Sequence, residues 1–128
     1  MKYIPLIGRT LFSLIFLMTI KGHFSTEAIG YAEKMGVPMP SLLVPLSGII
    51  ATLGAVSIII GYKAKWGAWL IVLFLIPVTF FMHRFWDVSD TAAAHMQMVN
   101  FMKNLSMMGG ALLIMFWGPG PVSIDSRP

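Results

Sequence analysis

Cysteine is absent from this chain of 128 residues, and charged residues are scarce. Without cysteine the chain can form no disulfide, no thiolate metal site and no redox-active dithiol. Charged residues make up 11% of the sequence, whereas a soluble domain carries about a quarter. Too few charges are therefore present to cover a water-soluble surface, and any redox role would need a borrowed cofactor or partner.

The charges that are present are mostly basic. Nine Lys and Arg outnumber five Asp and Glu, which gives a formal net charge of +4. The basic residues are dispersed along the chain, so the charge suits an anionic membrane surface better than nucleic acid. The predicted partner is therefore the lipid bilayer, and no nucleic-acid partner is predicted.

Four long apolar runs, separated by short polar stretches, predict an all-α integral membrane four-helix bundle. Hydrophobic residues make up 57% of the chain. Because a membrane-spanning helix needs about twenty apolar residues, four spans leave room only for short loops, and residues 1–128 are predicted to form a single transmembrane domain. The predicted spans cover residues 4–22, 42–60, 66–84 and 98–117.

A short helix is predicted between the first and second spans. Ser25 can cap its start, Ala28 and Ala32 recur at helical spacing, and Gly36 supplies a stop. At about eleven residues this helix is too short to cross a bilayer, so it is expected to lie at the interface. In the second span Gly48 and Gly54 are small residues that permit close helix approach.

Orientation follows from the basic residues in alternate connections. Four spans place both termini on one side of the membrane. The basic residues on that side are Lys2, Arg9, Lys63, Lys65 and Arg127, and those on the other side are Lys21, Lys34, Arg84 and Lys103. This small excess favours cytoplasmic termini, and Arg9 is expected to snorkel to the cytoplasmic head groups.

The same topology brings the polar residues of two connections to the outer face. They are His23, His83 and His95 with Glu27, Glu33, Arg84, Asp87 and Asp90. Three hypotheses compete for them: a metal or haem site, a proton-handling or quinone-head-group site, and anchoring at the lipid interface. The histidine spacing matches no ligand motif, so no metal or haem is predicted, and for Phe85 and Trp86 anchoring is favoured.

The fourth predicted span carries a polar stripe. Asn100, Lys103 and Asn104 recur at three and four residues and so share one side of a helix. Ionisable residues within a span tend to face the bundle interior, with Asp87, Asp90 or an anionic ligand as partner. The alternative is that Lys103 snorkels to the outer interface along its own stem.

In order and spacing, these features resemble those of the DoxX family of small bacterial four-helix membrane proteins. The stretches that carry the resemblance are GRTLFSLIFLMTIKGHFS, AIGYAEKMGVP, IIGYKAKWGAWLIVLFLIPVTFFMHRFW and NFMKNLSMMGGALLIMFWGPGPVSID. The chain departs from the family at Ala51, where many DoxX relatives carry a glutamate.

The resemblance implies a multi-pass protein of the bacterial inner membrane that is an accessory subunit of a membrane redox complex. Redox partner proteins are a hypothesis on that basis, and catalysis by the chain alone stays undecided. The polar stripe facing the histidines is the reason for a further hypothesis, a quinone or small-molecule pocket at the outer end, and a homo-oligomer is also possible. The residues expected to contact a ligand are His23, His83, Trp86, Asp87, Asn100, Lys103 and Asn104. The alternatives are a non-catalytic membrane scaffold and a small transporter or lipid-binding protein.

Overall fold

The protein is entirely helical. The computed structural model describes residues 1–128. Its helices are α1 (Ile4–Met18), α2 (Thr26–Lys34), α3 (Pro40–Ile60), α4 (Ala64–Met82) and α5 (Thr91–Trp117), with 3₁₀ turns at Ile20–Phe24 and Phe85–Asp87. Four segments are each long and apolar enough to cross a membrane. They are α1 with its 3₁₀ turn, α3, α4 with the turn after it, and α5. The predicted all-α four-helix membrane bundle, with a short helix between the first and second spans, is confirmed.

Most apolar side chains lie on the outside of this bundle. Only 21 of the 128 residues are buried, and large side chains such as Leu113 and Phe116 of α5 are exposed. In water, an apolar surface of this extent would drive aggregation. In a bilayer the acyl chains solvate it, so the chain is a multi-pass membrane protein.

The two central helices, α3 and α4, pack closely through glycine. A methyl group added to Gly54 would lie 2.7 Å from the carbonyl oxygen of Gly67, and one added to Gly67 would lie 2.6 Å from the Ser57 Oγ. Gly48 and Gly54 are both buried on α3, as their predicted role in close helix approach requires. Small residues here let the two backbones touch.

The outer helices flank this pair, with α1 packed on α3 and α5 packed on α4. The helix α5 starts at Thr91, ahead of the predicted start at residue 98, because Asp90 caps it by accepting the Ala93 N–H at 2.9 Å. His95 therefore lies inside α5 and not before it. A helix of 27 residues is about 40 Å long, against a hydrocarbon core of about 30 Å, so its first turns extend beyond the core.

Both chain termini lie at the same end as the turn between α3 and α4, which we call the inner end. The Ile124 N–H donates to the Ile60 carbonyl at 3.3 Å and the Asp125 N–H donates to the Gly61 carbonyl at 2.7 Å. The Asp125 carboxylate accepts the N–H groups of Lys63 and Ala64 at 2.7 and 2.9 Å. A carboxylate in this position satisfies free donors at the start of α4 and complements the helix dipole.

Arg9 is buried at the inner end, and the expectation that it snorkels to the head groups is wrong. Its guanidinium donates to the carbonyl of Ile59 at 3.0 Å and to that of Pro119 at 2.8 Å, and it also donates to the carbonyl of Val122. The tail after α5 is irregular, so its carbonyls are not used by a helix and remain free to accept. Arg9 therefore ties α1 to α3 and to the tail.

Candidate functional site

A cavity of about 800 Å³ lies at the opposite, outer end of the bundle. It is bordered by the first 3₁₀ turn, by α2 and by the outer halves of α3 and α4. Its wall is mostly apolar and includes Val44, Ile50, Phe74, Val78, Phe81 and Met82. Its polar side chains are Thr19, His23, Ser25, Glu27, Tyr31 and Ser47. This outer-end cavity has the size and apolar lining of a small-molecule site.

His23 reaches the outer-end cavity because α3 carries a glycine beside it. A methyl group on Gly48 would lie 2.5 Å from the Cβ of His23, so any larger residue would push the 3₁₀ turn away. The His23 ring packs against Phe74 with centroids 5.6 Å apart, and Nδ1 lies 2.9 Å from the Thr19 carbonyl. A carbonyl can only accept, so Nδ1 carries a proton, and in the neutral form of the ring Nε2 is left as an acceptor.

The helix α2 supplies the polar rim of the cavity. Ser25 caps it, accepting the Ala28 N–H at 3.1 Å, which confirms the predicted cap. Glu27 and Tyr31 are four residues apart and so share one side of the helix. Both line the outer-end cavity.

A second set of polar groups, which we call the outer polar chain, joins α2 to α4 and α5 beside the cavity. The His83 Nδ1 donates to the Gln97 Oε1 at 2.7 Å. The Gln97 Nε2 donates to the Tyr31 hydroxyl at 3.5 Å, and that hydroxyl donates to the Met82 carbonyl at 3.4 Å. This chain connects a predicted site residue, His83, to the cavity rim through two residues absent from the predicted set.

The segment after α4 is attached to the segment after α2. The Arg84 Nη2 donates to the Met35 carbonyl at 2.8 Å, and its Nε lies 3.9 Å from the Asp87 carboxylate. Because both side chains are substantially exposed, the ion pair adds little stability. The hydrogen bond to Met35 holds the end of α2 near the end of α4.

Among the seven predicted ligand contacts, His23 is the one that lines the outer-end cavity. Trp86 is exposed and packs edge-on against Phe85 and Phe101, with centroids 5.2 and 5.8 Å apart. Its anchoring at the lipid interface stays a prediction. A ligand contact through Trp86, His83 or Asp87 stays a prediction.

The polar stripe of α5 is divided by the helix turn. Asn104 is buried, Asn100 is half-buried and Lys103 is exposed. Residues four apart share a side, whereas Lys103 is displaced from Asn104 by about 100°, one residue's rotation in a helix of 3.6 residues per turn. Asp90 caps α5, and no carboxylate lies within ion-pair distance of Lys103. The predicted acidic partner is therefore not beside it, and snorkelling of Lys103 stays a prediction.

The structure also separates the three histidines. His23 lies on the 3₁₀ turn, His83 is bonded to Gln97, and His95 is exposed on α5. No three His, Asp or Glu side chains converge as metal ligands would. The outer end therefore holds a cavity and a hydrogen-bonded chain rather than one cluster.

Tyr31 and Gln97 were not among the predicted site residues. The four-residue spacing from Glu27 to Tyr31 was a usable signal, since it places an acid and a phenol on one side of a short helix. Gln97 carried no such signal, because its position depends on α5 starting at Thr91.

Comparison with known proteins shows which families and relatives the chain is similar to. A family model described as SURF4 family matches residues 1–128. "Inner membrane protein YphA" of Escherichia coli (strain K12) is 30% identical over 126 residues, covering 95% of this chain and 88% of the relative. "Inner membrane protein YqjF" of the same organism is 31% identical over 124 residues, covering 94% and 88%.

A eukaryotic relative matches over a smaller part of its length. The "Surfeit locus protein 4 homolog" of Schizosaccharomyces pombe (strain 972 / ATCC 24843) is 29% identical over 126 residues, covering 98% of this chain but 37% of the relative. No solved structure matches the chain. The chain thus spans most of its bacterial relatives and just over a third of this yeast protein.

The predicted membership of the DoxX family is wrong, because the family model that matches the whole chain is the SURF4 one. The stretches that suggested DoxX cover most of α1, α4 and α5, and the SURF4 family model matches these same residues. The hypothesis of an accessory redox subunit rested on that resemblance and loses its support with it.

Proposed function

The chain belongs to the SURF4 family, and from this premise we propose that it is an inner-membrane protein that binds an apolar or amphipathic small molecule in its outer-end cavity. The proposal takes the inner-membrane location from the names of the two Escherichia coli relatives. The binding function is drawn from this chain's own geometry.

The cavity itself is the observation that carries the proposal. Its volume of about 800 Å³ falls within the range of about 300–1,000 Å³ typical of small-molecule sites. Apolar side chains of α3 and α4 form most of the wall, and polar groups lie at the end nearest α2 and the 3₁₀ turn. An apolar body with one polar end matches this distribution.

Access from the bilayer is consistent with the exposed part of the wall. Leu46 of α3 and Leu73 and Phe81 of α4 line the cavity and are also exposed on the outside of the bundle. These helices face lipid at this level, so an amphiphile can enter sideways without crossing water. Because the acyl chain then moves from one apolar environment to another, the hydrophobic effect adds little to its binding free energy. The polar end of the cavity must therefore provide the selectivity.

We place both termini in the cytoplasm, which puts the outer-end cavity on the opposite side of the membrane. The inner end carries Lys63 in the α3–α4 turn, Lys65 in the first turn of α4, and both termini. The distribution of basic residues favours that end as the cytoplasmic one.

A scaffold without a ligand is the second candidate, and the Arg9 hydrogen bonds favour it. Arg9 is a buried charged group whose hydrogen bonds go to backbone carbonyls of α3 and the tail, as a role in holding helices together requires. Under this alternative the polar groups around the cavity would likewise only hold helices together.

Photolabelling separates the two candidates. Decane derivatives carrying a diazirine, one with a hydroxyl head and one with a carboxylate head, are irradiated with the protein in lipid nanodiscs, and labelled peptides are mapped by mass spectrometry. At least one probe should label the cavity wall. Uniform labelling of lipid-facing α1 and α5 would support the scaffold.

Two matched substitutions test whether the label reports the cavity. Ala28→Trp fills it from α2, and Ala93→Trp adds the same bulk at an exposed position of α5. Both alanines donate their N–H to a helix-capping side chain, Ser25 or Asp90, so the local backbone cost is matched. We expect Ala28→Trp to lower labelling about tenfold or more, a loss of about 1.4 kcal/mol, while Ala93→Trp leaves it unchanged. Equal labelling of both variants would contradict the proposed function.

A further inference from the structure

Resting on the proposed function, we infer that the outer-end cavity selects amphiphiles whose head group donates hydrogen bonds, a hydroxyl or an ammonium, over heads that only accept or are anionic. The basis is the inventory of donors and acceptors that line the cavity.

Every side-chain hydroxyl that lines the cavity already donates its proton to a backbone carbonyl. The pairs are Thr19 to Phe16 at 3.3 Å, Ser25 to Gly22 at 2.8 Å, Tyr31 to Met82 at 3.4 Å, and Ser47 to Val44 at 2.7 Å. A hydroxyl has one proton, so each of these groups can offer a ligand only its lone pairs. No Lys or Arg lines the cavity.

The remaining polar side chains are acceptors as well. His23 donates its Nδ1 proton to the Thr19 carbonyl, so in the neutral form of the ring Nε2 carries no proton and can only accept. The Glu27 carboxylate only accepts when ionised. A ligand head without a proton to donate would therefore lose its hydrogen bonds to water and find no side-chain donor in exchange.

One feature of the cavity would favour an anionic head group. The first turn of α2 presents backbone N–H groups, and a helix N-terminus favours anions. Ser25 already accepts one of these N–H groups, from Ala28, and Glu27 places its carboxylate in the same turn. The Glu27 carboxylate would repel the negative charge of an anionic head group. We therefore do not expect this turn to bind anionic heads.

This inventory also bears on the quinone hypothesis. An oxidised quinone presents carbonyl acceptors and no donor, so its head matches an acceptor lining poorly. A long-chain alcohol or amine matches it well, because one proton can bridge to the His23 Nε2 or to the Glu27 carboxylate.

Competition between four head groups on one chain length tests the inference. Decanol, decylammonium, methyl decanoate and decanoate are titrated, at mildly alkaline pH, against whichever photoprobe labels the cavity. We expect decanol and decylammonium to displace the probe at concentrations about tenfold or more below those of methyl decanoate and decanoate, because a polar group that loses its hydrogen bonds to water without a partner in the site is costly.

Two glutamates on α2 provide a matched pair of variants. Both side chains are exposed, and only Glu27 lines the cavity. Glu27→Gln removes the carboxylate at the cavity and supplies an amide donor, whereas Glu33→Gln makes the same change away from it. Glu27→Gln should bring decanoate close to decanol and weaken decylammonium. Glu33→Gln should leave the order of the four compounds unchanged.

Each outcome bears on one proposal or the other. Three results would overturn the donor-head inference while leaving a ligand site in place. They are methyl decanoate displacing the probe as well as decanol does, decanoate displacing it best of the four, and the same shift in both glutamine variants. Failure of all four compounds to displace the probe would overturn the proposed function itself.

Discussion

At the scale of single residues, the buried guanidinium of Arg9 holds three elements together. Its planar fork points donors in several directions, and it donates to carbonyls of Ile59, Pro119 and Val122. A lysine keeps the charge but offers a compact ammonium that cannot reach all three acceptors. The substitution therefore isolates the hydrogen-bond geometry from the charge.

We expect Arg9→Lys to lower the free energy of unfolding in detergent by about 2–4 kcal/mol, since hydrogen bonds to charged groups contribute about 1.5–3 kcal/mol each and Lys retains some of them. Amide hydrogen exchange at Ile124 and Asp125 should accelerate as the tail is released. The control is Arg127→Lys, the same change at an exposed arginine of the tail, with an expected effect within about 0.5 kcal/mol. Unchanged tail protection in the Arg9 variant would contradict this role.

At the scale of elements, the distance between α3 and α4 is set where Gly54 and Gly67 meet. A Cβ at Gly67 would fall 2.6 Å from the Ser57 Oγ and 2.9 Å from the Gly54 carbonyl oxygen. Neither the backbone oxygen nor the short serine side chain, which is hydrogen-bonded to Tyr62, can move away easily. The helices themselves would have to separate.

Gly67→Ala should therefore destabilise the protein by about 1–3 kcal/mol, the usual cost of overpacking. Gly109→Ala is the control, because Gly109 is also helical and has no atom within 4 Å of the added methyl group. There the better helix propensity of alanine should stabilise α5 by up to about 1 kcal/mol. Thermal unfolding in one detergent compares the two, and a Gly67 variant as stable as the Gly109 variant would show that the contact is not limiting.

At the scale of the whole molecule, the two ends of the bundle differ in kind. The inner end is closed by the tail, Arg9 and Asp125, whose polar groups satisfy backbone atoms. The outer end keeps a cavity and an uneven set of donors and acceptors. Hydrogen bonds that hold the tail to the bundle thus lie at one end, and the candidate functional site lies at the other.

The natural absence of cysteine allows a direct test of orientation. Single cysteines at Pro128 in the tail and at Ser89 between α4 and α5 are both exposed. With a membrane-impermeant maleimide, Ser89→Cys should react in intact cells and Pro128→Cys only after permeabilisation. The unmodified chain provides the background, and the reverse pattern would place the termini outside.

Much of the architecture could be predicted from local patterns. Ser25 as a cap, Gly48 and Gly54 as close-contact residues, and the number of spans all depend on neighbours in sequence or on one helix face. The start of α5 was missed because Thr91 to Gln97 is not apolar enough to resemble a span, although Asp90 carries a capping signal. Among the predicted ligand contacts only His23 lines the cavity. Whether a residue lines the cavity depends on which turns of different helices meet, and the sequence pattern does not specify this.

The sequence alone determined that the chain is an all-helical membrane protein of four spans, because the length and hydropathy of each span are local properties that a bilayer selects directly. The tertiary structure decided that Arg9 is buried, that Lys103 is exposed, and that His23 fits beside Gly48 on the rim of a cavity. Those outcomes depend on distances between residues far apart in the chain. The physical reason is that a helical pattern specifies which residues share a face, whereas the contacts between helices specify which atoms remain free to accept a hydrogen bond.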